Sequence, residues 1–175
     1  MTDPHDESTL PRPTHLDAEG RARMVDIGGK EITRREAVAT GRIVMRPETA
    51  RAIGEGSVAK GDVLAVARVA GIQAAKETSR LIPLCHPLSL DAVEVELTVG
   101  EGAVDARVAA RTSGRTGVEM EALAATSAAL LTIYDMCKGI DRAMIIESIR
   151  LESKSGGRSG EWSRASEASD SDTSK

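Results

Sequence analysis

Apolar residues in this chain recur with two periods, and the places where the period changes divide it into elements. From Arg35 to Arg46 the run REAVATGRIVMR is short, carries Val and Ile, and is closed by Pro47, which predicts a strand. Pro47 opens a short helical stretch, PETARAIGEG, with proline in its first turn and Gly54 to Gly56 ending it. After Lys60-Gly61-Asp62, apolar residues at Val63, Val66, Val69, Ala70 and Ala74 keep the helical period to about Leu81. Pro83 and Pro87 then bracket Leu84-Cys85-His86, and neither proline continues a helix, so this segment is a constrained loop. Strict alternation follows in Val93, Val95, Leu97, Val99 and again in Val104, Ala106, Val108, Ala110, joined by Gly100-Glu101-Gly102: a hairpin with one buried face. Thr112 to Gly117 (TSGRTG) reads as a loop, Val118 to Lys138 as an Ala- and Leu-rich helix stopped by Gly139, and residues 144 to 152 as a last strand before the Gly-rich KSGGRSG of 154 to 160.

The main elements in order are strand, helix, strand, strand, helix, strand. That order predicts an α+β, ferredoxin-like split β-α-β fold, an antiparallel sheet with two helices on one face. Small residues in the second helix (Ala122, Ala124, Ala125, Ser127, Ala128, Ala129) leave room for close approach of a helix or sheet. A sheet face left bare by the helices calls for a partner, so an oligomer is expected.

Composition narrows the function classes. Of 175 residues 41% are hydrophobic, yet there is one Trp, one Tyr and no Phe. The core must be aliphatic, and the aromatic platforms on which single-strand and RNA binders stack bases have no residues to build them. The net charge of −4 belongs to the ends: residues 1–19 hold five carboxylates against Arg12, residues 161–175 hold four against two bases, and the body between is +2. A cationic body can concentrate Arg and Lys around an anionic ligand. Polar, charged tails at 1–13 and 161–175 are expected to be disordered, leaving 14–160 as a single domain. Cys85 and Cys137 lack paired spacing, and His5 and His15 lie in or beside the N-terminal tail, so no ligand set for a metal is expected. With no leader and no long apolar run, the chain is expected to be cytoplasmic, away from membranes.

Three segments could carry chemistry. TSGRTG before a helix start combines glycine-permitted turns, the Arg115 guanidinium and a helix N-terminus, which favour an anion, although a Gly- and Thr-containing turn also serves as ordinary capping. KSGGRSG is open to the same two readings, phosphate contact or flexible linker. Glu119 and Glu121 stand in the first turn of a helix, where acids complement the dipole; two residues apart they point about 200° from each other, so both cannot face one ligand from a regular helix. In Tyr134-Asp135-Met136-Cys137-Lys138 the acid and the lysine share a helix face, as a solvated ion pair or as a proton-transfer pair.

Five longer blocks, GIQAAK at 71–76, LIPLCHPL at 81–88, TGVEMEAL at 116–123, LTIYDMCK at 131–138 and KSGGRSG at 154–160, resemble the cyclic pyranopterin monophosphate synthase family of molybdenum-cofactor biosynthesis. The resemblance spans about residues 14–160 and keeps the family's block order. It implies a lyase that converts the cyclised GTP derivative (8S)-3',8-cyclo-7,8-dihydroguanosine 5'-triphosphate to cyclic pyranopterin monophosphate with release of pyrophosphate. It also implies a ferredoxin-like fold assembled as a homohexamer, a trimer of dimers, without a resident cofactor, and leaves open Mg²⁺ beside the triphosphate. By similarity Asp135 and Lys138 form the acid-base pair, with Lys60 and His86 as further catalytic residues. Leu84, Cys85, His86, Met120 and Glu121 bind substrate, and Arg35 and Glu119 are further pocket members. The alternative on fold alone is a non-enzymatic ferredoxin-like module that binds a regulatory ligand.

Helix geometry adds a constraint. Glu121 and Asp135 are fourteen residues apart on one predicted helix, roughly 21 Å at the α-helical rise. One small substrate does not span that distance easily, so a site using both ends is expected to lie at a subunit interface.

Overall fold

The computed structural model describes residues 19–158 and 160–164. In chain order its elements are β1 (Thr33–Val44), α1 (Pro47–Gly54), α2 (Val63–Lys76), α3 (Thr78–Leu81), β2 (Ala92–Val99), β3 (Ala103–Gly114), α4 (Glu119–Cys137), β4 (Ile145–Ser155) and β5 (Trp162–Ser163). The strands form one sheet in the order β2-β3-β1-β4-β5, every neighbouring pair antiparallel. β1 to β4 with α2 and α4 are the expected ferredoxin-like unit.

Alternation decides which strand positions meet the helices. Ala37, Ala39, Gly41 and Ile43 of β1 and Val104, Ala106, Val108 and Ala110 of β3 are buried, as are Ala122, Ala125, Ala129, Leu130 and Ile133 of α4. Small residues set the spacing. A Cβ on Gly41 would lie 2.7 Å from Leu130 Cδ1 and 2.8 Å from Thr126 Cγ2, so only glycine lets α4 cross β1 this closely. On α2, a Cβ on Gly71 would lie 3.1 Å from the Ala125 carbonyl oxygen, which brings the two helices together over Ala125 and Ala129. The largest fully buried side chains are aliphatic (Ile43, Leu130, Ile133, Val104, Val108), each worth about 1.5–3 kcal/mol of burial before entropy is counted.

The opposite sheet face is not apolar. Arg111 bridges Glu36 at 2.7 Å and Glu94 at 2.6 Å, Arg42 pairs with Asp105 at 3.4 Å, Arg107 with Glu96 at 3.7 Å and Arg150 with Glu152 at 2.6 Å. Charge pairing covers this face.

Other expectations shift at their edges. The helix expected to run to Leu81 breaks at Glu77, because the Thr78 hydroxyl bonds back to the carbonyls of Ala74 (3.1 Å) and Ala75 (3.0 Å) and competes for the acceptors that would continue it. Thr112 to Gly114, expected as loop, continue β3 because β1 pairs with them out to Thr33. β4 likewise runs through Lys154 and Ser155, which pair with Ala37 and Glu36. The first residues of the tail expected from 161 are ordered: Lys154 pairs with Trp162 and Ser153 with Ser163, and the Arg164 guanidinium lies 5.7 Å from the indole centroid. The expected N-terminal tail, His5, His15 and residues 165–175 lie outside the described residues.

Candidate active site

α4 carries polar groups at both ends, and the fold gives each end different company. At its C-terminal end Lys138 Nζ lies 2.6 Å from Asp135 Oδ1, as residues three apart on a helix allow. Lys60 reaches the same carboxylate from the loop before α2, its Nζ 3.1 Å from Asp135 Oδ2 and 2.8 Å from the Asp135 carbonyl oxygen. Gly61, at φ +100°, and Asp62, which caps α2 by accepting from Ala65 N at 2.9 Å, fix the turn that aims Lys60. The three side chains are about half exposed. Hydrogen bonds from Lys138 and Lys60 hold the Asp135 carboxyl below its ordinary range, and Asp135 in turn raises Lys138. The group is therefore a carboxylate between two ammonium ions at neutral pH.

A residue not anticipated from sequence supports this end. Asp141 is 3% exposed and accepts from Arg46 N at 2.9 Å, the Thr49 hydroxyl at 3.1 Å and Ala143 N at 3.2 Å. Chiefly the Arg46 N–H keeps it ionised, its pKa lowered. The contact ties the start of α1 to the turn after Lys138, and α1 leads into the loop bearing Lys60. A buried acid three residues past the Asp135–Lys138 pair has no spacing signature that would have singled it out.

At the N-terminal end a recess of about 270 Å³ is lined by Leu84, Cys85, His86, Glu119, Met120 and Glu121. The two prolines and a turn bond from Cys85 N to the Ile82 carbonyl (3.0 Å) present the Leu84–His86 loop to it. His86 Nε2 lies 2.8 Å from the Val25 carbonyl oxygen. That acceptor selects the tautomer with the proton on Nε2, leaving Nδ1 as the ring's acceptor in the neutral form. Glu121 is 4% exposed, and burial first, then the charge of Glu119, pushes its carboxyl up. Burial and these two acids also raise the Cys85 thiol, which disfavours a thiolate nucleophile.

Glu119 and Glu121 were expected to point apart, and the structure brings both to the recess. Glu119 is the first residue of α4, and its side chain folds back over Gly117, where a Cβ would fall on the carboxylate. Its other contact is Lys154 Nζ at 3.0 Å. That pair stands in a second, larger cleft of about 710 Å³, which shares Lys30, Thr116, Gly117 and Glu119 with the recess. Arg35 lines this cleft rather than the recess, its Nε donating to the Gly114 carbonyl at 3.1 Å. Arg115 and residues 154–158 of the KSGGRSG segment line it too.

The structure thus gathers Lys60, Asp135 and Lys138 at one end of α4 and Leu84, Cys85, His86, Glu119, Met120 and Glu121 at the other, with Arg35 beside the second group. Within one chain it does not bring His86 to Lys60. Among the described residues no three His, Cys, Asp or Glu side chains converge as a metal site, and no helix is long and apolar enough to cross a membrane.

The MoaC family model matches residues 24–157. Curated relatives are similar over nearly the whole chain. One from Chloroflexus aurantiacus is 57% identical over 166 residues, covering 94% of this chain and 99% of the relative. One from Roseiflexus sp. is 60% identical over 151 residues, 85% and 96% of the two chains, and one from Novosphingobium aromaticivorans 57% over 152 residues, 87% and 97%. Each of those proteins is named cyclic pyranopterin monophosphate synthase. With the ferredoxin-like sheet and both ends of α4 inside the matched span, the chain belongs to the MoaC family.

Proposed function

We propose that this chain is a cyclic pyranopterin monophosphate synthase, a lyase that takes the cyclised GTP triphosphate to cyclic pyranopterin monophosphate and pyrophosphate. The carrying observation is the Lys60–Asp135–Lys138 group, a carboxylate held between two lysine side chains in the open. A ligand-binding module has no need of such a group. In the reaction a ribose hydroxyl forms a bond to the α-phosphorus, the bond from that phosphorus to the α–β bridging oxygen breaks, and the electron pair leaves on pyrophosphate. Asp135, ionised, is placed to accept the hydroxyl proton, and Lys138 to donate one during the ring rearrangement. Lys60 offsets phosphate charge, as Arg35 does beside the recess. The recess accepts the ring system: Glu121 and His86 Nδ1 orient it, and Leu84, Met120 and the Cys85 thiol supply apolar contact in place of absent aromatics. Glu119 guards the boundary between recess and cleft.

The two ends of α4 are fourteen residues apart, about 21 Å along the helix. The complete site therefore combines Asp135, Lys138 and Lys60 of one subunit with His86 and Glu121 of a neighbour, in a homohexamer built as a trimer of dimers. Leu131, Ile140 and Ile145 support this: they are exposed apolar residues close in sequence to Asp135 and Lys138, and Leu131 stands one helical turn before Asp135. The domain expected over residues 14–160, extended by β5 to Ser163, acts as one catalytic unit in the cytoplasm, and charge on the triphosphate is met by side chains rather than by a resident cofactor. The test is incubation of the purified chain with the cyclised GTP triphosphate, following pyrophosphate and pterin fluorescence. Release of both is expected, and release of neither overturns the proposal.

A further inference from the structure

We infer that Asp141 is a positioning residue for the reaction: acting through α1, it fixes the base of the Lys60 arm relative to the Asp135 carboxylate. This rests on the synthase reading and adds to it a residue that works through another. A buried carboxylate is costly unless its oxygens are hydrogen-bonded, and Asp141, 3% exposed, meets that condition with three donors. Two of them, Arg46 N at 2.9 Å and the Thr49 hydroxyl at 3.1 Å, belong to the start of α1 and share Oδ2; Ala143 N holds Oδ1 at 3.2 Å. Arg46 is the N-cap of α1 and makes no side-chain cap of its own. In a capping box an acid three residues on accepts from the N-cap N–H. Here that position is Thr49, and the acid comes from 95 residues along the chain. The Arg46 guanidinium straps the same junction, its Nε 3.5 Å from Asp141 Oδ2 and a terminal nitrogen on the Ile140 carbonyl.

The linkage runs both ways from this carboxylate. On one side Asp141 N and Ile140 N both donate to the Cys137 carbonyl, at 3.0 and 2.9 Å, so the turn is wound onto the end of the helix that carries Asp135 and Lys138. On the other side the chain from α1 to Lys60 is held turn by turn. Glu55 N, Gly56 N and Ser57 N bond back to the carbonyls of Arg51, Ile53 and Ala52 at 2.9, 3.1 and 3.0 Å, Val58 is buried, and Gly61 N closes on the Val58 carbonyl at 2.9 Å. The loop therefore moves with α1. Because α1 packs mainly on β2 and β3, the Asp141 bonds are what register it against the end of α4. Lys60 Nζ sits 3.1 Å from Asp135 Oδ2 and 2.8 Å from its carbonyl oxygen on a side chain about half exposed, so a fixed base is what keeps a flexible arm on target. A displacement of about 1 Å at such a group costs on the order of a hundredfold in rate.

The test follows the Asp135 carboxyl by carbon NMR across pH, beside turnover of the cyclised GTP triphosphate. The chains compared are wild type, Lys60→Ala, Asp141→Ala, their double variant and, as a control on the outer sheet face, Asp105→Ala. Lys138 on α4 and Lys60 on the loop are the charged groups facing this carboxyl, and both hold its titration down. Removing the charge of Asp141 by its field alone would lower Asp135 further, whereas letting Lys60 drift raises it. The Asp135 midpoint is expected to rise in Asp141→Ala as it does in Lys60→Ala, to rise no further in the double variant, and to stay in place in Asp105→Ala. Turnover should fall about ten- to a hundredfold in Asp141→Ala, with no added loss when Lys60→Ala is already present. A merely structural role multiplies the two losses and leaves the titration where it was. Thr49→Val, which removes one donor and keeps the shape of the side chain, serves if Asp141→Ala does not fold, and should give a smaller rise. An unmoved or lowered midpoint in these variants, or multiplied losses, overturns the inference. The titration needs no substrate, so the two readings fail separately. Coupled titration in a chain that never turns over the cyclised GTP sinks the synthase reading alone, and turnover with an unmoved Asp135 midpoint sinks the positioning role alone.

Discussion

Two carboxylates on one helix, Glu121 at the start of α4 and Asp135 near its end, are driven in opposite directions. Glu121 is buried beside Glu119, has no cation on it, and holds its proton to higher pH. Asp135 stands in solvent between Lys60 and Lys138 and loses its proton more readily. Environments that split two acids in this way assign them different work. In the proposed reaction the buried end would orient the ring and the open end would move protons and meet charge. The two ends differ in form as well: the first is a recess lined by Cys85, His86, Glu119 and Glu121, the second an exposed charge cluster.

The largest effect tests whether the open end is the chemical one. Lys138→Ala is expected to abolish turnover while circular dichroism and size-exclusion profile stay those of wild type; wild-type activity would remove the acid-base pair. If the two ends meet only across subunits, mixing an Asp135→Ala chain with a His86→Ala chain should restore part of the activity in hybrid oligomers. No recovery, with subunit exchange demonstrated, would return both halves to a single chain.

Between the ends lies the packed middle of the helix. Leu130→Ala, in full contact with β1, is expected to cost about 2–5 kcal/mol in denaturant unfolding. A cost below 1 kcal/mol would mean that the helix is not anchored there.

The opposite protonation shifts give opposite pH dependences of stability. For Glu121 the folded pKa is raised above 4.5, so the folded chain binds the proton more tightly than the unfolded chain does. Its contribution is favourable below 4.5 and declines as pH rises through the folded value, and Glu121→Gln should flatten that decline. For Asp135 the folded pKa is lowered below 3.8. Its contribution is present above 3.8 and is lost as pH falls through the folded value, a small effect because the group is exposed and screened. Melting temperatures from pH 3 to 8 for wild type, Glu121→Gln and Asp135→Asn would measure both, and slopes of the same sign would undo the contrast. The smallest effect concerns the turn that aims Lys60: Asp62→Ala, which removes the cap of α2, should cost about 1 kcal/mol of stability and lower kcat more than it raises KM.

Much of the fold was legible because its signals are local. The alternation of 93–99 and 104–110, the proline that opens α1 and the glycine that ends α4 each act within a few residues, and the order of elements then admits few topologies. Errors fell where a distant strand took part. Thr112 to Gly114 look like a loop by composition and become strand because β1 is there to pair with them. Trp162 and Ser163 look like tail and join β4 for the same reason. The outer face was expected to be bare, and cross-strand ion pairs such as Arg111 with Glu36 and Glu94 cover it.

By itself the sequence determined the aliphatic core, the split β-α-β order and the residue types at both ends of α4, since these depend on composition, period and spacing along the chain. It also placed Asp135 and Lys138 on one helix face. Only the tertiary structure decided that Lys60 completes that pair, that Asp141 ties the start of α1 to the turn after α4, that Glu119 turns back to share the recess with Glu121, and that Lys30, Arg35, Arg115, Lys154 and Arg158 face one cleft. Those placements join segments separated by up to more than a hundred residues, and long-range packing has no period to read.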